Sequence, residues 1–276
     1  MSAGNAELAA LALDVAREAA ALVRDRRRGE VTVAATKSSD VDIVTEADRA
    51  SEELIRDRLL ARRPDDGVLG EEGDDVPSRS GVRWVVDPID GTVNFLYGLP
   101  EYAVSIAAER WTDEGSEVVA GVVVNVARGT EYVGQLGDEH GPAVVTRDGE
   151  PIEVRSPADL HLRLLVTGFN YDAGIRQLQA TALANLITRV RDVRRLGSCA
   201  LDLCHVAEGT VDGYFEEGVN LWDYAAGGLI ARLAGARFET RPGSGGTLMV
   251  VCAPPHGFDD LLDALQTAGF SPESGE

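Results

Sequence analysis

The chain has 276 residues, with 46 acidic against 26 basic side chains and a formal net charge of −20. A field of that sign repels nucleic acid and anionic membranes and argues against either as the main partner. It also repels a phosphorylated substrate unless bound cations reverse the sign locally.

The N-terminal residues Leu8, Leu11, Ala12, Val15, Ala19, Leu22 and Val23 recur at the spacing of one helical face. Arg24 to Arg28 complement the dipole of the last turn, and Gly29 ends the helix. No apolar run here is long enough for a signal peptide or a membrane span, so a cytoplasmic protein is expected. After a short extended piece, Thr45 with Asp48 three residues later forms the pattern of a capping box, opening a helix to about Arg63. Val68-Leu69-Gly70 reads as a brief strand ending in Glu71-Glu72-Gly73, and 73–81 as a polar loop into the strand that starts near Trp84. Three β-rich runs, 103–111, 117–126 and 130–136, predict an antiparallel meander that continues in shorter strands to about 155. Further on, strands are expected at Leu162–Thr167, Val193–Leu196, Val211–Glu216, 236–240 and 247–252. Helices are expected at 174–190, from a Ser198 cap to Ala207, at Trp222–Ala234 and at 257–267.

Helices and strands interleave without a strict βαβ rhythm, which predicts a layered α+β fold rather than a doubly wound sheet. A soft boundary near 150–160 has no linker-like composition, so residues 1–276 are expected as a single domain of two halves. Cys199, Cys204 and Cys252 lack metal-type spacing and read as buried or free thiols in a reducing compartment. His205, six residues after Cys199, reads as structural.

The chemistry concentrates in Trp84-Val85-Val86-Asp87-Pro88-Ile89-Asp90-Gly91-Thr92-Val93-Asn94-Phe95. An apolar strand ends in two carboxylates three residues apart, and Pro88 between them stiffens a turn. Such a turn can aim Asp87, Asp90 and the Ile89 carbonyl at one point, the oxygen set that magnesium takes. After Gly91, a helix opening at Thr92 would turn free N–H groups towards an anion. Asp-Pro and Asp-Gly are also ordinary turn formers, so this segment needs company before it becomes a site. Glu71 ends the preceding strand, and Asp223 in Leu221-Trp222-Asp223-Tyr224-Ala225-Ala226-Gly227 stands at a helix start, where an N-cap is its simplest use.

Together these segments resemble the inositol monophosphatase family of magnesium-dependent, lithium-sensitive phosphatases. That family carries G-E-E, then D-P-I/L-D-G-T-x-N-F, then W-D-x-A-A-G, in the order found here. Lys37, Asp42, Val44, Thr45 and Asp48 match its upstream K-x-x-x-x-D-x-V-T-x-x-D. The resemblance implies a layered α-β-α-β-α sandwich of the inositol monophosphatase and fructose-1,6-bisphosphatase type. It implies two to three Mg2+ ions held by Glu71, Asp87, the Ile89 carbonyl, Asp90 and Asp223. The half at about 1–155 would then be the metal-binding one, and the half at about 156–276 would close the site. Gly91 and Thr92 would hold the phosphate through their backbone N–H groups. Thr92, Asp48 and Glu71 would be catalytic, with Thr92 backed by Asp48 against the attacking water. Gly197, Ser198, Cys199 and Glu216 correspond to positions that contact the polyol, although the family more often has alanine at Cys199.

Val93-Asn94-Phe95 after the D-G-T resembles the inositol monophosphatase branch, so myo-inositol 1-phosphate is the first expectation. Fructose 1,6-bisphosphate, histidinol phosphate and phosphoadenosine phosphate stand behind it. The resemblance also implies a homodimer. A different class of function, a regulatory protein that binds RNA polymerase or RNA, is the alternative, since bacterial relatives include such partners.

Overall fold

The computed structural model describes residues 3–29, 33–36, 43–112, 115–156 and 158–272; Lys37 and Asp42 lie outside them. Helix α1 (Asn5–Arg27) turns Leu8, Ala12, Ala16, Ala19 and Val23 fully into the core, as its spacing requires. Strands β1 (Val33–Thr36) and β2 (Ile43–Thr45) pair antiparallel. Helix α2 (Glu46–Arg62) begins at the expected capping box: Thr45 N donates to Asp48 Oδ2 (2.8 Å) while Ala47 N donates to Thr45 Oγ1 (3.2 Å).

Strands β3 (Gly67–Gly70) and β4 (Val82–Asp90) run parallel, and α3 (Thr92–Tyr97) follows directly. Then come β5 (Ala103–Thr112), β6 (Gly115–Asn125), β7 (Glu131–Gln135), β8 (Val144–Arg147) and β9 (Glu150–Pro151), the expected antiparallel meander. The second half contains β10 (Leu164–Thr167), α4 (Ala173–Leu186), β11 (Asp192–Arg194), α5 (Cys199–Ala207) and β12 (Gly213–Glu217). It ends with α6 (Leu221–Leu233), β13 (Arg237–Pro242), β14 (Leu248–Ala253) and α7 (Phe258–Ala268). Among the described residues the strands form a seven-stranded sheet in sequence order from β3 to β9 and a five-stranded sheet ordered β11-β10-β12-β14-β13.

Three apolar clusters glue these into five layers. The first seals α1 and α2 onto one face of the larger sheet. The second holds α5 and α6 between the two sheets, and the third packs α4 and α7 on the outer face of the smaller one. The fold is the α-β-α-β-α sandwich expected.

Several element bounds differ from expectation, three of them for reasons visible in local contacts. Residues Leu160–Leu162 form a 3-10 turn, and the strand begins only at Leu164, because buried Arg163 is turned away to the carbonyls of Ala158 (2.7 Å) and Gly257 (2.6 Å). Helix α4 stops at Leu186, after which Arg189 N closes a turn on the Leu186 carbonyl (2.9 Å) and buried Val190 leads into β11. That strand ends at Arg194, two residues early, since the Leu196 carbonyl is taken by Asn94 Nδ2 (2.7 Å) and Arg195 and Gly197 turn to the pocket described below.

The central layer is unusually close to the larger sheet at one point. A Cβ at Gly121 on β6 would lie 2.9 Å from the Ala226 Cα and 3.0 Å from its carbonyl oxygen, both rigid backbone of α6. Glycine therefore sets how near α6, and with it Asp223, approaches the sheet that carries Asp87 and Asp90. Gly121→Ala should overpack this contact at a cost of about 1–3 kcal/mol, lowering Tm at about 2–4 °C per kcal/mol for a chain of this size. An unchanged melting temperature would mean that α6 stands further off than described.

Candidate active site

Residues three apart on a regular strand point to opposite faces, yet Asp87 and Asp90 line one pocket. The backbone reconciles the two. The pairing of β4 with β5 shifts register between Asp87, opposite Ser105, and Asp90, opposite Ala103. Pro88 has no N–H for the ladder, and the extra residue of the bulge turns Asp90 back to the side of Asp87. Thus the strand continues through Asp90 with a bulge, rather than ending in a free turn. Ile89 N donates to Asp87 Oδ1 (3.0 Å), and the Pro88 carbonyl accepts from Ser51 Oγ (3.1 Å).

Each remaining carboxylate is delivered by a different element. The turn after Glu71 is pinned by buried Glu52 of α2, whose carboxylate accepts from Glu72 N (2.7 Å), Gly73 N (2.8 Å) and Arg56 Nε (2.7 Å). Asp90 lies over the start of α5, where its Oδ2 accepts from Ser198 Oγ (2.6 Å) and Ala200 N (2.7 Å). Asp223 is not the N-cap of α6. Asn220 takes that position and Asp223 is the third residue of the helix, accepting from Asn220 N (2.6 Å). The helix therefore opens one residue earlier than its apolar spacing suggests.

Gly91 joins β4 to α3 with φ +94°, a left-handed conformation that favours glycine, and a Cβ there would lie 2.9 Å from the Glu101 carbonyl oxygen. Thr92 Oγ1 stands 3.1 Å from both Asp48 Oδ1 and the Ile89 carbonyl oxygen, so its one proton serves either. Asn94 ties this segment to the second half through the Glu101 (2.6 Å) and Leu196 (2.7 Å) carbonyls.

The pocket has a volume of about 400 Å³. Glu71, Asp87, Ile89, Asp90, Gly91, Thr92, Gly197, Cys199, Glu216 and Asp223 all line it. Asp48 and Ser198 are buried behind the wall, Asp48 against Thr92 and Ser198 against Asp90. Arg195, Asn170, Asn220 and Trp222 also line the pocket, and sequence reasoning missed them. For Arg195 a partial signal existed, a basic side chain two residues before Gly197, but Arg189, Arg191 and Arg194 beside it carry the same charge; for Asn170, in a loop after β10, there was none.

The electrostatics follow from crowding. Burial pushes the Asp87 carboxyl well above the usual range, and the nearby carboxylates of Glu71, Asp90 and Asp223 push it further. Burial and Asp90 do the same to Asp223. Burial raises Asp90 to about 6 against the opposing hydrogen bonds of Ser198 and Ala200. Burial also raises Asp48, despite its bonds from Thr45 and Thr92. Among the described residues Arg195 is the only basic side chain on the pocket wall. No three acidic, histidine or cysteine side chains among the described residues close into a ready cage, and the four carboxylates stand around the pocket instead. Four mutually repelling carboxylates with a backbone carbonyl are an oxygen-only donor set, which fits a hard divalent cation.

An oxygen-lined pocket of this kind, opening on a strand-to-helix turn, fits the class of phosphomonoester hydrolases. The model of the inositol monophosphatase family matches residues 5–262, and the chain belongs to that family, whose members are generally metal-dependent hydrolases of phosphomonoesters. It is 46% identical to the inositol-1-monophosphatase SuhB of Mycobacterium tuberculosis, over 95% of this chain and 94% of that one. The solved structure of Mycobacterium tuberculosis SuhB superposes with a TM-score of 0.81 at 44% identity, over 98% of this chain and all of the other. A protein of Pasteurella multocida named Nus factor SuhB is 36% identical over 93% of this chain and 94% of its own length. The chain is an enzyme, a phosphatase.

His205 has partners the sequence did not reveal. Its Nδ1 lies 3.1 Å from Glu208 Oε1 and its Nε2 3.6 Å from Glu101 Oε2, with Asp202 also nearby in α5. Burial alone would lower its pKa, but the carboxylates of Glu101 and Glu208 raise it to about 9. The folded value exceeds the unfolded one, so the stabilisation is complete below about pH 6.5 and is lost as pH rises through about 9. Comparing denaturation of the wild type with His205→Asn from about pH 6 to about pH 10, the stability gap should narrow by about 2–3 kcal/mol. A gap independent of pH would mean that His205 is neutral throughout.

Proposed function

We propose that this pocket hydrolyses myo-inositol 1-phosphate to inositol and phosphate, using two to three Mg2+ ions. The observation that carries the reading is the convergence of Glu71, Asp87, Asp90 and Asp223 on one pocket beside the Thr92–Asp48 pair. Those carboxylates and the Ile89 carbonyl would hold the ions. When bound, magnesium would neutralise phosphate charge and lower the pKa of a water.

The chain's own groups do the rest. Gly91 and Thr92 offer backbone N–H groups to the phosphate where the strand turns into α3. Thr92 Oγ1 orients the attacking water, and the water's proton passes through that hydroxyl to Asp48, whose raised pKa suits it to accept one. Glu71 acts beside them at the pocket wall. The oxygen–phosphorus bond to water forms as the ester bond breaks, and the leaving oxygen departs towards the side of Gly197, Cys199 and Glu216, taking a proton from solvent water to become the polyol hydroxyl. These supply the polyol contacts, while Ser198 supports them from behind through Asp90.

The inositol-1-monophosphatase name of the mycobacterial relative supports the substrate, and the unbroken ligand set supports an enzyme. Fructose 1,6-bisphosphate, histidinol phosphate and phosphoadenosine phosphate remain competitors. The name Nus factor carried by the Pasteurella relative favours a second reading, a regulatory protein that binds RNA polymerase or RNA. The net charge of −20 opposes RNA. A cytoplasmic homodimer, with the half before about residue 155 binding metal and the rest closing the site, completes the proposal. Light scattering at twice the chain mass and cell fractionation check its first two parts.

Phosphate release from the four substrates, with magnesium and with EDTA, tests the reading. Turnover should be highest on inositol 1-phosphate, vanish with EDTA and fall as lithium is added at saturating magnesium. Asp90→Asn keeps hydrogen-bonding capacity but loses the charge, so it should abolish turnover while the protein still melts cooperatively. Retained turnover in that folded variant would remove Asp90 from the mechanism, and activity indifferent to EDTA would remove the metal.

A further inference from the structure

Glu216 does not reach the pocket as a free side chain at a strand end. Tyr214, two residues earlier on β12 and fully buried, donates its hydroxyl to Glu216 Oε2 at 2.9 Å. The Cys199 thiol lies within hydrogen-bonding reach of the same hydroxyl, at the position where alanine would offer nothing. On the other side the carboxyl group lies against Gly168, just after β10, where a Cβ would stand 2.0 Å from both Glu216 Cδ and Oε1. The backbone there is not left-handed, so the contact, rather than φ, is what excludes a side chain. A hydroxyl on one side and a bare Cα on the other leave the Glu216 carboxyl one place to be.

We propose that Tyr214 and Gly168 are positioning residues that fix the Glu216 carboxyl on the pocket wall and so set the preference for phosphate esters of polyols over esters without hydroxyls. The claim rests on the reading that Glu216 meets a substrate hydroxyl. Tyr214 is fully buried and donates to Glu216, so its influence on the substrate passes through that carboxyl. The positive charge of Arg195, which also lines the pocket, favours the charged form of Glu216 independently of Tyr214 and Gly168. Loss of the tyrosine hydroxyl should therefore loosen the carboxyl without removing it.

The readout is the ratio of kcat/KM on inositol 1-phosphate to that on p-nitrophenyl phosphate, for the magnesium-loaded full chain. Tyr214→Phe should lower this ratio about three- to tenfold, the effect of one hydrogen bond, and mainly through KM for inositol 1-phosphate. Gly168→Ala, which pushes the carboxyl aside without straining the backbone, should lower the ratio in the same direction. Glu216→Gln should lower it too, and the double variant Tyr214→Phe/Glu216→Gln should lose no more than Glu216→Gln alone. Melting curves accompany each variant, and Gly168→Ala carries the test if Tyr214→Phe fails to fold. A selective Glu216→Gln with unchanged ratios in both Tyr214→Phe and Gly168→Ala overturns the positioning role and leaves the polyol contact standing. Additive losses in the double variant also overturn it, since Tyr214 would then act apart from Glu216. An unchanged ratio in Glu216→Gln removes the polyol contact, and the proposal falls with it.

Discussion

Everything in this molecule answers to the crowding of like charges at the end of β4. Asp87 is almost fully buried, with Glu71, Asp90 and Asp223 close enough to raise its pKa. Buried carboxylates repel one another strongly and are poorly solvated. The surrounding structure offsets this with oriented donors. Asp90 takes two hydrogen bonds at the start of α5, and Asp223 takes one from Asn220 at the start of α6. The positive ends of both central helices thus face the carboxylates, where negative charge is favoured.

The layers make that arrangement possible. Both helices are held between two sheets, so their first turns are fixed relative to β4 on one side and β12 on the other. The larger sheet and its loops bring Glu71, Asp87 and Asp90; the second half brings Glu216 and Asp223. Asn94 spans the two, bonding carbonyls on either side of the seam. The shape of the pocket depends on packing distances between layers as much as on the identity of its carboxylates.

Much of this was legible in the sequence because it is written in local pattern. The capping box at Thr45 and Asp48, the meander from Ala103 and the helix from Ser198 each follow from propensity or periodicity within a few residues. Glu71, Asp87, Asp90 and Asp223, which the structure brings to one pocket, stand in short segments that resemble the family's motifs. What was not legible depends on contacts distant in sequence or on backbone register. The bulge at Pro88 shows only in the pairing of β4 with β5, and Arg195 joins the pocket only once β11 ends early. Tyr214 reads as an ordinary core aromatic until its hydroxyl is found beside Glu216. His205 likewise gains its meaning from Glu101, more than a hundred residues away.

The role proposed for the four carboxylates is to hold divalent cations. Anomalous scattering from crystals of the active enzyme grown with Mn2+ tests it most directly. Peaks should lie among the side chains of Glu71, Asp87, Asp90 and Asp223 and the Ile89 carbonyl. No anomalous peak in that pocket, from a preparation that releases phosphate, would contradict it.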